Sequence, residues 1–206
     1  MRVSHPAFDK GANAVAHGNR WGYLRLGIQG SLQRGASSRS LEMNPAPIQI
    51  VSRHRFEDMF LKSSHHWVIS IREADEIEIP RPDFINPRVN LAFWDLINGP
   101  GIATPEDVES VYQFSLEWMK QVLEDPTKAN LVVHCFAGVS RSTAMALIPL
   151  LLYYSSFRLA AERLFEVNKY AVPNTHVLYL ITQKFGLDPG KVFEDLFRAS
   201  QGGVVP

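Results

Sequence analysis

The 206-residue chain balances 21 Lys and Arg against 21 Asp and Glu, with 46% hydrophobic and 20% charged residues. These values suit one globular domain of about 150 residues with an appendage, and neutrality gives no electrostatic reason to bind nucleic acid or an anionic membrane. The longest apolar run, Ala144 to Tyr154, contains Pro149 and falls well short of the roughly 20 residues of a membrane span, so a soluble protein is expected.

Residues 1–44 differ from the rest. They hold six of the 13 glycines, six basic residues and only two acids, Asp9 and Glu42, with no periodic apolar pattern. The expectation is a disordered N-terminal extension, or a stretch placed ahead of a true start at Met43; it lacks the apolar core of a secretory signal. Residues 45–206 are then the folded domain, with 15 Lys and Arg against 19 Asp and Glu.

Within that domain strands and helices alternate. A short apolar run at Ile48–Val51 precedes a helical stretch near His54–Leu61, and Trp67–Ile71 and Val89–Trp94 read as buried strands. Asn98, Gly99, Pro100 and Gly101 supply turn chemistry for the loop that follows. Thr104-Pro105-Glu106-Asp107 marks a helix start, with an N-cap hydroxyl, a first-turn proline and acids facing the helix dipole. That helix runs to about Glu124, and Val108, Val111, Tyr112, Met119, Val122 and Leu123 form its expected buried stripe. Leu131–His134 is the next strand. Helices follow from Arg141, with an expected bend at Pro149, and near Phe157–Val167, Asn174–Phe185 and Lys191–Ala199. This order predicts an α/β fold with a mostly parallel central sheet of about four or five strands flanked by helices. In such sheets ligands bind beyond the carboxyl ends of the strands, where Cys135 falls.

Cys135 is the only cysteine, so no disulfide forms within the chain, and a free thiol fits a cytoplasmic location. The seven histidines lack the spacing of a zinc site, so no metal and no other cofactor is expected. Downstream of Cys135 come Phe136, Ala137, Gly138, Val139 and Ser140, then Arg141, Ser142 and Thr143. Five residues between thiol and guanidinium let the backbone curl once, aim successive amides at an oxyanion, and use Gly138 for the tight curvature. The helix opening at Arg141 adds its positive end, and Arg141 can grip two phosphoryl oxygens bidentately. A thiol at a helix N-terminus beside arginine is expected as the thiolate. Ser142 is placed to donate to the sulfur as it leaves. His134 is assigned a structural role, bracing the loop by hydrogen bonds.

A leaving oxygen also needs a proton from an acid on a neighbouring loop. Asp95, just past the Val89–Trp94 strand at the same sheet edge, is the first candidate. Asp83 is the runner-up, and Asp107 is read as a helix-capping charge.

The run HCFAGVSRS at 134–142 resembles the signature loop of the cysteine-dependent phosphatase superfamily, His-Cys-x-x-Gly-x-x-Arg-Ser/Thr. It is especially similar to that of dual-specificity phosphatases and small bacterial tyrosine-phosphatase-like proteins. Pro173-Asn174, opening a helix after the signature, also resembles the small bacterial members. The resemblance implies a parallel sheet, two-step hydrolysis through a phosphocysteine, no metal, and a general-acid aspartate a few tens of residues ahead of the cysteine. Asp95 lies 40 residues ahead, and Trp94-Asp95 lacks the proline of the tyrosine-specific loop. By chance, His before, Gly three after, Arg six after and Ser seven after would meet on the order of once in 10⁵ cysteines, which sets aside the reading of Cys135 as a plain buried hydrophobe.

The leading expectation is phosphomonoester hydrolysis on protein phosphotyrosine, with phosphoserine and phosphothreonine as further substrates. An inositol phosphate, polyphosphate or other small phosphoester is the alternative with the same chemistry. It is disfavoured for phosphoinositides, because residues 136–140 contain no Lys or Arg. A non-catalytic phosphate-binding module and a rhodanese-like sulfur-transfer protein are the remaining readings.

Overall fold

A computed structural model of the chain describes residues 45–60, 66–76 and 87–202. The expectation for residues 1–44, and Asp83, lie outside the described residues. The elements run β1 (Ile48–Ser52), α1 (Arg53–Phe60), β2 (Trp67–Arg72), β3 (Arg88–Ala92), α2 (Pro105–Glu124), a 3₁₀ turn at Pro126–Lys128, β4 (Leu131–Cys135), α3 (Arg141–Tyr154), α4 (Phe157–Val167), α5 (Thr175–Phe185) and α6 (Pro189–Ser200).

The four strands form one parallel sheet in the order β1-β4-β2-β3. β4 lies inside the sheet, which suits a strand reading LVVHC with every residue buried. Its side chains alternate between two apolar layers. Leu131, Val133 and Cys135 join the main core under α2 to α6, whereas Val132 joins Val51, Phe56 and Val68 in a smaller layer under α1. α3 carries the main core: every residue from Arg141 to Leu151 is buried, and the helix runs through Pro149 to Tyr154. No helix among the described residues is long and apolar enough to cross a membrane.

Because all pairs are parallel, the carboxyl ends of the strands share one edge. Cys135 pairs with Ser52 of β1, His134 with Ser70 of β2, and Arg72 of β2 with Ala92 of β3. The residues just past each strand, Arg53, Glu73, Phe93 and Phe136, are thereby gathered above that edge.

Three local expectations are corrected. β3 ends at Ala92 rather than Trp94: the Phe93 N–H still reaches Arg72, but the Trp94 N–H donates to the Gly101 carbonyl at 2.8 Å, turning the chain out of the sheet. The buried line of α2 is Val108, Val111, Ser115 and Trp118, and Leu123 is 51% exposed. Five residues past Trp118, Leu123 is carried off the buried face by the 3.6-residue repeat, while Tyr112, Met119 and Val122 only flank the core. Asn174 is the N-cap of α5, one residue before its first turn. Asp107 does cap α2, its carboxylate accepting the Thr104 N–H at 2.8 Å while the Thr104 hydroxyl accepts the Asp107 N–H at 3.3 Å.

Candidate active site

Cys135 ends β4 and is 2% exposed. The Ser142 hydroxyl lies 3.2 Å from Sγ, and the Gly138 N–H donates to Sγ at 3.2 Å. The chain has therefore curled back over the sulfur within three residues. Only glycine permits that curl here: φ is +77° at Gly138, and a Cβ would stand 2.6 Å from the carbonyl carbon of Val51.

Four of the loop's five carbonyls face the scaffold. Phe136 O accepts the Arg53 N–H at 3.2 Å, and Gly138 O accepts the Asn168 side-chain amide at 2.7 Å. Val139 O accepts the Val172 N–H at 3.0 Å, and Ser140 O accepts the Ala144 N–H at 3.0 Å. Thr143, one turn into α3, donates its hydroxyl to both Val139 O and Ser140 O, at 2.5 and 2.8 Å. No peptide bond among the described residues is cis, so each carbonyl turned to the scaffold turns the next residue's N–H away from it. The amides of Ala137, Val139, Ser140 and Arg141 thus point away from the groups that hold those carbonyls, and the Gly138 N–H between them points to Sγ. A ring of inward amides at a helix start is an anion cradle.

Arg141 is buried and held from behind. Nη1 donates to the Phe93 carbonyl at 2.9 Å, and Nη2 to Glu73 at 2.5 Å. These bonds leave Nε–H and one hydrogen on each Nη, and Nε is buried without a partner among the described residues. A buried donor left over on a clamped guanidinium matches the second half of a bidentate grip on an oxyanion. Glu73 is tied in turn: its N–H donates to the Glu76 carboxylate at 2.9 Å, and Glu76 pairs with Arg53 at 3.1 Å.

Asp95 stands at the rim, exposed, with Oδ1 accepting from the Ser140 hydroxyl at 2.7 Å and from the Asn174 side-chain amide at 2.8 Å. Ser140 is the N-cap of α3 yet makes no side-chain cap. Its hydroxyl is given to Asp95 instead, leaving the first amides of α3 to the cradle. Asn174 fixes the acid loop from the other side, its amide also reaching Leu96 O at 3.4 Å while its carbonyl oxygen caps α5 at Val177.

The expected role of His134 is corrected. It is buried, but neither ring nitrogen has a hydrogen-bond partner among the described residues, so it does not brace the loop that way. The period-2 pattern of β4 sends it to the face opposite Cys135, where its ring stacks on Phe56 with centroids 4.0 Å apart. Burial first, then the positive charges of Arg88 and Arg53, push its pKa down to about 3, so the ring is neutral.

The structure thus brings together Cys135, the loop 136–140, Arg141, Ser142 and Asp95. It adds Glu73, the Phe93 carbonyl, Asn168 and the anchoring role of Asn174. Glu73 was accessible to the reasoning that found Asp95, being the first residue past a parallel strand; a backbone carbonyl leaves no mark in a sequence.

No family model and no curated protein matches the chain. Solved structures do. Human DUSP28 superposes with a TM-score of 0.50 over 67% of this chain and 90% of its own, at 14% identity. A single-substitution variant of that human protein gives 0.50 over 67% and 88%, also at 14% identity. The parallel four-stranded sheet and its helices therefore have the fold of the dual-specificity and tyrosine phosphatases.

Proposed function

We propose that this chain is a phosphatase that hydrolyses phosphomonoesters, protein phosphotyrosine foremost and phosphoserine and phosphothreonine secondarily, through a phosphocysteine. The observation that carries this reading is the arrangement around one sulfur. Sγ of Cys135 receives an amide and lies beside a hydroxyl, under a loop whose Phe136, Gly138, Val139 and Ser140 carbonyls are engaged elsewhere, and Arg141 keeps a buried donor without a partner among the described residues.

The roles follow from the atoms. The phosphate sits in the amide ring with two oxygens on Arg141, and the Cys135 thiolate attacks phosphorus on the side opposite the ester oxygen. The S–P bond forms as the P–O bond breaks, and protonated Asp95 gives its proton to the departing oxygen. In the second step the Asp95 carboxylate takes a proton from water as its oxygen bonds phosphorus. The S–P bond then breaks, the Ser142 hydroxyl stabilises the returning thiolate, and inorganic phosphate leaves. The amides and guanidinium meet charge on the phosphoryl oxygens throughout.

The test is turnover of p-nitrophenyl phosphate in the presence of a chelator. Cys135→Ser keeps the volume and should lose at least about 10⁴-fold in kcat. Wild-type turnover by Cys135→Ser would remove the nucleophile. An inactive wild type that still binds inorganic phosphate would leave a binding module, and cyanide-dependent turnover of thiosulfate would mark sulfur transfer.

A further inference from the structure

We infer that the mouth of the cradle is a specificity rim for phosphotyrosyl peptides whose flanking residues are apolar, with Leu96, Ile97, Phe136, Tyr170 and Val172 as its contact residues. The inference rests on the phosphatase reading above and deepens it. Among the described residues nine large hydrophobic side chains are strongly exposed, and these five, 49 to 69% exposed, are the majority. They fall on the phosphate loop itself and on two segments bound to it. Leu96 and Ile97 follow Asp95, whose carboxylate takes the Ser140 hydroxyl. Phe136 is the loop residue next to Cys135. Tyr170 donates its N–H at 3.0 Å to Asn168, the side chain that also holds Gly138 O, and the Val172 N–H binds Val139 O. Apolar side chains kept in water on segments fastened to one loop mark a surface that is covered when a ligand arrives.

Charge selects the ligand. Across residues 93–104, 136–140 and 168–174 the sequence has one Lys or Arg, Lys169. Its ammonium lies 5.0 Å over the Tyr170 ring, occupied with an aromatic face. A phosphorylated inositol or an acidic peptide brings further anions, and these segments provide nothing else to pair them. The ring of a phosphotyrosine and apolar neighbours in the peptide would instead desolvate against the rim. The start of α1 also meets the loop, through the Arg53 N–H on Phe136 O, but the Arg53 guanidinium is paired with Glu57 and Glu76; a rim that met an anionic lipid surface would carry several basic residues beside its apolar ones, so a peptide is favoured over a membrane.

The test compares two phosphotyrosyl peptides of equal length, one flanked by Leu, Val and Phe and one by Asp and Glu, titrated into the Cys135→Ser protein. The apolar peptide should bind at least about tenfold more tightly. Tyr170→Ser and, separately, Ile97→Ser should narrow that gap to about threefold by weakening the apolar peptide rather than tightening the acidic one. Both side chains are exposed, and the thermal shift of each variant with inorganic phosphate shows whether the cradle is intact. Equal affinities, a preference for the acidic peptide, or tighter binding to vesicles containing a phosphorylated inositol lipid would each overturn the rim. Absence of turnover by the wild-type protein would instead strike the phosphatase reading, while the binding comparison would still decide this one.

Discussion

Two loops meet over Cys135, and they are built in opposite ways. The phosphate loop, 136–140, is fastened through its carbonyls to α1, α3 and the α4–α5 connection, and the helix behind it is buried from Arg141 to Leu151. The acid loop, 93–104, is held at its ends, Phe93 by Arg72 and Arg141 and Ala103 by His176, but leaves Asp95 to Gly101 exposed, and that stretch is tied only through Trp94 to Gly101 and through Asp95 and Leu96 to Ser140 and Asn174 among the described residues. The difference suits the roles proposed for them. A cradle for a developing charge works when its dipoles need no reorganisation, so the scaffold holds it still. An acid that must approach a leaving group and release product is better carried on a lightly held segment.

The sharpest way to break this comparison is to place the same methyl group in each loop. At Gly138 the backbone has φ of +77° and an added Cβ meets backbone atoms of Val51 and Ser52 at 2.6 to 2.8 Å, with nothing flexible to give way. Gly138→Ala should cost about 2 to 4 kcal/mol, lower Tm by roughly 5 to 15 °C and reduce turnover at least 10²-fold. At Gly99, φ is +103° but a Cβ has open space, so Gly99→Ala should cost about 1 kcal/mol and change kcat less than threefold. Equal losses in both, read by thermal melts and by p-nitrophenyl phosphate turnover, would erase the distinction between fixed cradle and light loop.

A smaller effect sharpens the same contrast by leaving group. Asp95→Asn keeps the side-chain shape, so Tm should stay within about 2 °C. The kcat on alkyl phosphates should fall about 10²- to 10⁴-fold, because an alkoxide leaves poorly without a proton. On p-nitrophenyl phosphate, whose leaving group needs little protonation, the loss should be under about tenfold. A silent Asp95→Asn with an equal loss from Asp83→Asn would transfer the acid to Asp83.

What the sequence made legible divides along physical lines. The cradle was readable because its chemistry is local: Cys135, Gly138, Arg141 and Ser142 lie within eight residues, and curvature, charge and helix start all act over that span. Asp95 was readable through topology, since parallel strands put their carboxyl ends on one edge. The clamp on Arg141 was not, because Glu73 lies 68 residues away and its partner, the Phe93 carbonyl, is backbone. The α2 stripe drifted for a related reason. Leu123 continues an apolar pattern in sequence, but which face is buried depends on where α3 and the sheet sit, and that centred the contact on Trp118, whose indole N–H donates to Ala129 at 2.6 Å. His134 failed on environment: the signature identifies the residue, yet its surroundings are set by Phe56 on a helix far upstream.

That residue carries the smallest effect at neutral pH and tests the sheet's two faces against each other. His134 and Cys135 are neighbours on β4 that point to opposite faces of the sheet, one stacked on Phe56 and one beneath the phosphate loop. With its folded pKa depressed to about 3 and an unfolded value near 6.5, His134 binds no proton in the folded state where the unfolded state does. Above pH 6.5 both forms are neutral and the residue contributes no slope. Between pH 6.5 and 3 protonation favours the unfolded chain, so stability falls with decreasing pH by up to about 1.4 kcal/mol per unit from this group. His134→Phe keeps a ring against Phe56 and removes two nitrogens that have no partners among the described residues, so at pH 7 it should change stability by less than about 1 kcal/mol. In urea unfolding at pH 7, 6 and 5 the variant should lose less stability than wild type at each acid step. Parallel pH curves for the two proteins would mean that the imidazole accepts a proton in the folded state, and that this layer of the sheet is wetter than the stacking of His134 on Phe56 indicates.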